Sequence, residues 1–304
     1  MNIEFYKKLI QIIPEEAIKL EEAMKDHTTF QVGGPAEYYI EVGSEHSLIE
    51  LLPLIREYGL DYFILGNGSN LLVSDQGYRG VIICLKSSTS QMKIAETTLT
   101  VWAGTLLSAV ANEAARNQLT GVEFAAGIPG TIGGAVVMNA GAYDGEMKDI
   151  VESVRILNKQ GKIITLTRGE LAFGYRTSIL KLMPVVVLEV TLTLEAGNRD
   201  DIVTKMKEFT EMRKAKQPLM LPNAGSTFKR PTGYYAGKLI MEAGLSGYRM
   251  GGACVSPIHC GFLVNEKQAT AADLYGLMQH VIATVRECHA ITLEPEVVCL
   301  GTFQ

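Results

Sequence analysis

The sequence predicts an α+β fold, because helix and strand patterns are mixed along its 304 residues without a regular strand–helix–strand repeat. No internal repeat occurs at the periods of solenoid proteins. At about 150 residues per domain, the length predicts two domains that are large enough to fold without disulfides or metal ions. Hydrophobic residues make up 47% and charged residues 20%, which excludes a disordered chain.

The first third of the chain contains helices and short strands. Charges interrupt the apolar residues of the first 26 positions at helical spacing, unlike the continuous apolar run of a signal peptide. This pattern predicts two short helices, the second beginning at Pro14. Residues 36–42 alternate as a strand does, residues 45–58 have a helix pattern, and residues 62–65 form a short buried strand.

The middle of the chain is richer in strands. Short strands are predicted at 80–85, 91–96 and 98–104, and a helix at 105–117. A glycine-rich loop at 127–145 follows, with room for one short regular piece.

A hairpin and a long strand come before the main domain boundary. Residues 151–167 form the hairpin, which turns at a Gln-Gly pair, and residues 184–194 form the long strand. The turn residues after this strand place the boundary near 197. The predicted domains are therefore 1–197, with a further split near 80–90, and 198–304.

The C-terminal part contains helices, short strands and an irregular segment rich in proline and glycine. Thr270 and Asp273 have the spacing of a capping box at the start of a helix. The helices are predicted at 200–214, at 236–243 and from 270 to about 288, and the strands at 253–255, 261–264 and 296–300.

Charge and cysteine content exclude several classes of function. The net charge of -5 makes binding to nucleic acid or to an anionic membrane by bulk charge unfavourable, and no apolar run approaches the length of a membrane span. The five cysteines form no CxxC pair, and their spacing to histidines does not fit a zinc site. We therefore expect a reduced, cytoplasmic protein without a metal.

A turn of glycine and small polar residues follows the strand at 62–65. Such a turn can point main-chain N–H groups at a diphosphate, helped by Ser69 and Asn70. The Rossmann fingerprint is absent, because Leu71 occupies its third glycine position and no helix follows. A plain hairpin turn is the alternative. The candidate residues are Gly66, Asn67, Gly68, Ser69, Asn70 and Leu71.

A second glycine cluster opens the loop at 127–145. Glycines at this density let the main chain approach a large flat ligand, although a tight packing crossing is the alternative. Two such segments in one domain favour a dinucleotide-type cofactor. The candidate residues are Gly127, Pro129, Gly130, Thr131, Gly133 and Gly134, followed by Asn139.

Ser226 lies in the irregular segment of the C-terminal part, among several cations. A hydroxyl in this setting suits an anion-binding pocket or a proton donor, although a serine in a loop is more often a plain turn residue. The GxSxG motif of serine hydrolases is absent. Arg176 and Glu296 do not stand out by themselves. The nearby cations are Lys216, Lys229, Arg230 and Lys238.

Taken together, the segments resemble one known family over nearly the whole chain. The marks are TTFQVGGPA, LGNGSNLLVSD, GIPGTIGGAVVMNAGAYDGE, FGYRTS, AGSTFKRP, AGKLIMEAGLSGYRMGGACVS, HCGFLVN and LEPEV. In this order and spacing they resemble the UDP-N-acetylenolpyruvoylglucosamine reductase (MurB) family of flavoenzymes.

The resemblance implies an FAD-binding module of the vanillyl-alcohol-oxidase type with two subdomains, followed by a substrate domain. The FAD is held non-covalently between the two glycine segments. NADPH reduces the FAD, which passes hydride to the vinyl carbon of UDP-N-acetylglucosamine enolpyruvate. The product is UDP-N-acetylmuramate, a precursor of peptidoglycan.

The resemblance also assigns roles to site residues. Ser226 is the proton donor to carbon, and Arg176 and Glu296 stabilise the developing negative charge. Since an ionised carboxylate would repel that charge, we expect Glu296 to be protonated or paired with a cation. Lys216, Arg230 and Lys238 are expected to bind the anionic groups of the substrate, as the resemblance implies.

The chain is similar to the shorter subtype of the family. The span from Arg176 to the strand at 184–194 has no room for the tyrosine loop that covers the substrate in the longer subtype, and Arg230 stands where that subtype has asparagine. A flavin oxidase of the same fold and a sensor that binds a UDP-sugar or a flavin are the alternatives. We expect a monomer, because no interface stripe is apparent.

Overall fold

The computed structural model describes residues 2–86 and 92–303. The chain divides into two compact units. Unit 1 contains Met1–Lys19, Tyr39–Gly66 and Val81–Met212, and unit 2 contains Leu20–Tyr38, Asn67–Gly80 and Arg213–Gln304. These units are defined by packing. The functional boundary near 197 and the split near 80–90, part of which falls outside the described residues, stay predictions.

Several helices begin where a side chain caps the first N–H groups, whereas α3 and α7 have no side-chain cap. The Asn2 side chain accepts hydrogen bonds from the N–H groups of the first turn, and Ser44 caps the second helix in the same way. The predicted capping box of Thr270 and Asp273 is confirmed. The α-helices of the described residues are α1 (Ile3–Ile12), α2 (Glu45–Glu57), α3 (Leu107–Arg116), α4 (Ile132–Val137), α5 (Met147–Ile150), α6 (Arg199–Lys216), α7 (Ala236–Glu242) and α8 (Ala271–His289).

The strands are short, and most have the alternating or continuous burial that their sequences predict. Among the described residues they are β1 (Ile18–Ala23), β2 (Pro35–Val42), β3 (Tyr62–Leu65), β4 (Leu71–Val73), β5 (Tyr78–Leu85), β6 (Met92–Ala95), β7 (Thr98–Trp102), β8 (Leu119–Thr120), β9 (Gly141–Ala142), β10 (Gly145–Glu146), β11 (Val151–Leu157), β12 (Ile163–Thr167), β13 (Val186–Thr193), β14 (Glu195–Ala196), β15 (Arg249–Met250), β16 (Ala253–Val255), β17 (Leu263–Asn265) and β18 (Val298–Leu300). The strand predicted at 91–96 has its first residue outside the described part of the chain.

Unit 1 contains a five-stranded antiparallel sheet of order β12-β11-β13-β7-β6. The middle strand, β13, is buried at most positions, because its valines and leucines make an almost continuous apolar run. Helix α4 packs against β13 and β7. In the same unit β3 pairs in parallel with β5, so that Tyr62 faces Val81. The sheet therefore carries α4 and the glycine-rich loop that precedes it.

Unit 2 is built around α8, which packs against the three-stranded antiparallel sheet β15-β16-β17. A parallel pair joins β4 to β18, with Leu71 facing Val298. Apolar side chains from distant parts of the chain share one core, including Phe30, Leu72, Phe228, Leu239, Val255 and Leu277. This core fixes the segments on which the C-terminal candidate residues stand.

Two expectations from the sequence are wrong. The second helix at Pro14 is replaced by a single 3₁₀ turn, Glu15–Ala17, and then by β1, which lies beside β2 in a sheet of order β1-β2-β5-β3. Pairing with a neighbouring strand outweighs the helix propensity of the glutamate-rich segment. The hairpin alternative for the turn after β3 also fails, because β3 and β4 each pair in parallel with another strand.

The mixture of antiparallel sheets with parallel strand pairs agrees with the predicted α+β class. Within the described part of the chain, no helix has both the length and the apolar character that crossing a membrane requires.

Candidate functional site

Within unit 1, Gly66, the first residue of the glycine turn, lies against Thr131 of the second glycine segment. A side chain at Gly66 would place its Cβ atom 2.6 Å from Thr131 Oγ1, so the main chain can come this close only without one. Thr131 is the N-cap of α4, and its Oγ1 accepts a hydrogen bond from the N–H of Gly134 at 3.3 Å. The structure therefore brings together two segments that the sequence places 65 positions apart.

The loop before α4 contains a glycine that is needed for packing and main-chain N–H groups that could bind a ligand. A Cβ atom at Gly133 would lie 2.8 Å from the Cβ atom of Ala103, so this glycine serves the tight packing that was the alternative for the cluster. The N–H groups of Gly127, Gly130 and Thr131, by contrast, have no hydrogen-bond acceptor among the described residues. These three donors could bind a ligand.

In unit 2 the glycine turn presents a second group of donors. Gly68 has φ +60°, and a Cβ atom there would lie 2.0 Å from the carbonyl oxygen of His27, so only glycine fits. The N–H groups of Gly68, Ser69 and Asn70 have no acceptor in the described residues. Thr29, whose N–H donates to the Gly68 carbonyl, has a buried Oγ1 atom without a partner there.

These observations test whether the residues fit a dinucleotide cofactor. A diphosphate needs several convergent N–H or hydroxyl donors and main chain that can come close without side chains. In unit 1 the loop before α4 supplies such donors and close main chain, and in unit 2 the glycine turn does so together with the Thr29 hydroxyl, which has no partner among the described residues. The chain therefore carries a donor set that fits such a cofactor.

Asn139 and Leu71 are placed differently from the other cofactor candidates. Asn139 is 1% exposed, and its Nδ2 donates to Glu146 Oε2 at 2.8 Å and to the Gly174 carbonyl at 2.9 Å. Its Oδ1 accepts the N–H of Lys148. All hydrogen-bonding groups of the Asn139 side chain are thus used within unit 1. The Leu71 side chain is buried in β4. The main chain of Leu71 is left for a cofactor, whereas the Asn139 N–H donates to the Val136 carbonyl at 3.2 Å.

Arg176 is held by the same segment of unit 1 that contains Asn139. Its Nη2 donates to the carbonyl of Gly141 at 3.2 Å, and its Nη1 lies 3.5 Å from the carbonyl of Asn139. The backbone of Arg176 has φ +54°, a strained conformation for a residue with a side chain. The neighbouring Ser178 donates to the Val137 carbonyl, which fixes the turn from its other end. The guanidinium is thus held at a defined position in unit 1.

Ser226 and Glu296 lie on neighbouring segments of unit 2. Ser226 is exposed, and its hydroxyl has no hydrogen-bond partner among the described residues. The next residue, Thr227, accepts the N–H of Glu296 on its carbonyl at 2.8 Å. Asn70 donates from Nδ2 to the Glu296 carbonyl at 3.2 Å. The fold therefore joins the glycine turn, the serine and the glutamate within one unit.

The predicted substrate cations differ in their surroundings. Lys216 is exposed at the end of α6. The Arg230 guanidinium lies 4.0 Å from the centre of the Tyr235 ring, a cation–π contact. Lys238 Nζ lies 3.7 Å from Glu242 Oε1. Lys229, the fourth cation of the cluster, forms an ion pair with Glu294 at 2.8 Å and lowers the pKa of that carboxyl. All except Lys229 are exposed and remain candidates for substrate binding.

Sequence reasoning missed residues that hold the site together. Asp75 accepts the N–H groups of Ala271 and Ala272 at 2.8 Å each and so caps α8 from a distance of 196 residues. Thr29 stands in the TTFQVGGPA mark, which could have suggested it. The described residues contain no group of three His, Cys, Asp or Glu side chains that could hold a metal ion.

Comparisons with known proteins agree with this arrangement. Residues 36–167 match the family described as FAD binding domain, and residues 217–300 match the family described as UDP-N-acetylenolpyruvoylglucosamine reductase, C-terminal domain. These matches are consistent with the predicted α+β class, an FAD-binding module followed by a second domain.

Full-length relatives extend the similarity to the whole chain. A UDP-N-acetylenolpyruvoylglucosamine reductase of Caldanaerobacter subterraneus subsp. tengcongensis is 48% identical over 97% of each chain, and one of Clostridioides difficile is 45% identical over 99% of each. The crystal structure of the enzyme with this name from Thermus caldophilus superimposes with a TM-score of 0.80 at 38% identity. It covers 93% of this chain and 100% of the other.

Proposed function

The chain belongs to the UDP-N-acetylenolpyruvoylglucosamine reductase family, and from this premise we propose how its own residues carry out the reaction. It is an FAD-binding, NADPH-dependent oxidoreductase of peptidoglycan precursor synthesis that reduces UDP-N-acetylenolpyruvoylglucosamine. Family membership favours this activity over the flavin oxidase and the non-catalytic sensor.

The residues of the two glycine segments would hold FAD. The N–H groups of Gly68, Ser69 and Asn70, which find no acceptor in residues 2–86 and 92–303, support a role at the diphosphate together with the Thr29 hydroxyl. Gly66 and the loop of Gly127, Gly130 and Thr131 supply close main-chain approach. Asn67, Pro129, Gly133 and Gly134 complete the two segments. When bound, FAD accepts a hydride from NADPH and delivers one to the vinyl carbon of the substrate.

The observation that carries the mechanism is the exposed hydroxyl of Ser226, which has no hydrogen-bond partner in the described part of the chain and lies beside the segment of Glu296. The hydroxyl proton of Ser226 is transferred to the substrate carbon that gains negative charge next to the carboxylate. Arg176 balances the charge on that carboxylate, because its guanidinium is held in place by two main-chain carbonyls. Glu296 contacts the same group in its protonated or cation-paired form.

Lys216, Arg230 and Lys238 bind the diphosphate and carboxylate of the substrate. Their exposed positive charges offset the overall acidic character of the chain where an anion must bind. The matches at 36–167 and 217–300 support an FAD module at 1–197 and a substrate domain at 198–304. We also propose that the protein is a monomer in the cytoplasm; its sequence shows no interface stripe.

An anaerobic visible spectrum tests the proposed function. NADPH should bleach the flavin band of the purified protein, and UDP-N-acetylglucosamine enolpyruvate should restore it in the same cuvette. If the band returns only when air is admitted, the protein is an oxidase and the proposed substrate is wrong. A colourless protein that takes up no added FAD would remove the cofactor assignment.

A further inference from the structure

Ser226 stands in a segment without regular structure, between the end of α6 and the start of α7. A proton donor must be held within a fraction of an ångström of its target, since a misplacement of about 1 Å can cost 10²-fold in rate. The Ser226 hydroxyl makes no bond within the described residues that could hold it. Its position must therefore be set by the main chain on either side.

The main chain before Ser226 is held by Asn223. The Asn223 side chain accepts the N–H of Gly225 on Oδ1 at 2.9 Å. Its Nδ2 donates to the carbonyls of Leu221 at 2.7 Å and Pro218 at 3.3 Å. One amide thus closes the loop from 218 to 225, and the φ of +74° at Gly225 turns the chain into Ser226.

The main chain after Ser226 is held through His259. Thr227 donates its N–H to the carbonyl of Gly261 at 2.8 Å, and Gly261 donates its own N–H to His259 Nδ1 at 3.1 Å. The imidazole therefore holds Gly261, and the carbonyl of Gly261 holds Thr227, the residue after the serine.

The imidazole itself has a fixed place. A Cβ atom at Gly261 would lie 2.9 Å from its Cε1 atom, and one at Gly237 would lie 3.2 Å from it, so two glycines make room for the ring. Phe262 contacts the ring edge-to-face at 5.0 Å. Burial lowers the pKa of His259, which keeps the ring neutral and Nδ1 an acceptor.

We propose that Asn223 and His259 are positioning residues for Ser226, which they hold through the main chain of its two neighbours. The proposal rests on the proposed function, in which Ser226 is the proton donor. Neither residue is placed in contact with the reacting atoms. They determine where the hydroxyl stands while they leave it unbonded and able to give up its proton.

The test measures the two half-reactions separately by stopped-flow: flavin reduction by NADPH and flavin reoxidation by the enolpyruvyl substrate. In His259→Asn the amide oxygen can take the place of Nδ1, whereas in His259→Gln it reaches toward the position of Nε2. We expect His259→Gln to slow reoxidation at least about tenfold and His259→Asn to slow it less than about threefold, with reduction unchanged in both.

Asn223 gives an independent arm with a matched control. Asn223→Ala should slow reoxidation at least about tenfold, whereas Asn223→Asp keeps the acceptor for Gly225 and should slow it less. Asn158 also accepts two main-chain N–H groups, but in the hairpin turn before β12. Asn158→Ala should leave both half-reactions unchanged. FAD content and the thermal midpoint are measured for every variant.

A double variant separates positioning from a general loss of structure. If His259 acts only through Ser226, adding His259→Gln to Ser226→Ala should slow reoxidation no further. The proposal is overturned if the double variant reoxidises more slowly than Ser226→Ala. It is also overturned if the His259 variants slow both half-reactions equally, or if His259→Asn and His259→Gln reoxidise at the same rate. If Ser226→Ala itself reoxidises normally, the assignment of the donor fails first. A slow Ser226→Ala with normal Asn223→Ala and His259→Gln would overturn the positioning alone.

Discussion

Arg176 in unit 1 and Ser226 in unit 2 are positioned in opposite ways. The guanidinium of Arg176 donates to a main-chain carbonyl and lies near a second, and its strained backbone is fixed by the turn around it. The hydroxyl of Ser226 has no partner among the described residues, and only its neighbours are held.

The difference follows from the chemistry that each residue performs. A permanent cation that stabilises charge has five donors and can use two of them as anchors without losing its function. A hydroxyl has one proton, and a bond that anchored it would compete with its transfer. Direct anchoring therefore suits Arg176, and anchoring through the main chain suits Ser226.

Removing the Ser226 hydroxyl should produce the largest effect. In Ser226→Ala, flavin reduction by NADPH should stay normal, while reoxidation by the enolpyruvyl substrate should slow by at least about 10²–10⁴. Stopped-flow measurement of the flavin band gives both rates. Ser44→Ala, which removes a serine that caps α2, is the matched control and should change neither. Equal slowing of both half-reactions would contradict the role of Ser226 as a donor.

Replacing Arg176 should have a smaller effect, on the order of 10²–10³ on reoxidation in Arg176→Ala. Arg176→Lys keeps the charge, but lysine has no planar guanidinium that can reach both carbonyls. Its reoxidation rate should therefore lie between those of Arg176→Ala and the wild type. Arg116→Ala, on the exposed face of α3, removes a comparable charge elsewhere in unit 1. Normal turnover and normal substrate affinity in Arg176→Ala would remove Arg176 from the mechanism.

Local signals in the sequence predicted much of the fold. The capping box predicts the start of α8, and a run of apolar residues between turns predicts β3. Of the four residues of β3, only Leu65 is buried, so the strand is in place but is less buried than predicted. Both signals depend on residues close together in the chain. The helix predicted after Pro14 is wrong, because the glutamates of this segment favour a helix. In the structure the segment lies beside β2 as β1, and the local sequence does not reveal this pairing.

The candidate site was predictable only where the glycines and the family marks pointed to it. The pairing of β4 with β18 joins residues more than 220 positions apart, and it alone explains why Asn70 bonds to Glu296. A cofactor contact of Asn139 stays a prediction, and the structure adds that its side chain bonds to Glu146, Gly174 and Lys148. Such partners depend on tertiary structure, which a motif does not contain.

Glu146 offers the smallest and most specific test of how Arg176 is held. Its carboxylate accepts from Asn139, whose carbonyl lies near Arg176, and its Oε2 lies 2.9 Å from Lys148 Nζ. The hydrogen bond from Lys148 holds the pKa of Glu146 below its ordinary value of 4.5; burial opposes this, while the Asn139 bond and the charges of Lys148 and Arg176 add to it. Because the folded pKa is lowered, the stabilisation is present above pH 4.5 and is lost as the pH falls through the folded value.

In Glu146→Gln the acid limb of the unfolding free energy should therefore be flatter than in the wild type. The loss at neutral pH should stay below about 1 kcal/mol, since solvent screens a carboxylate that is 31% exposed. Chemical denaturation at several pH values measures both. Glu170→Gln removes another carboxylate with a lowered pKa, which accepts hydrogen bonds from Thr167, and should flatten the limb without slowing reoxidation. If Glu146→Gln slows reoxidation and Glu170→Gln does not, the charge of Glu146 is part of the frame that positions Arg176. Equal reoxidation rates in the two variants would show that the carbonyls hold Arg176 without it.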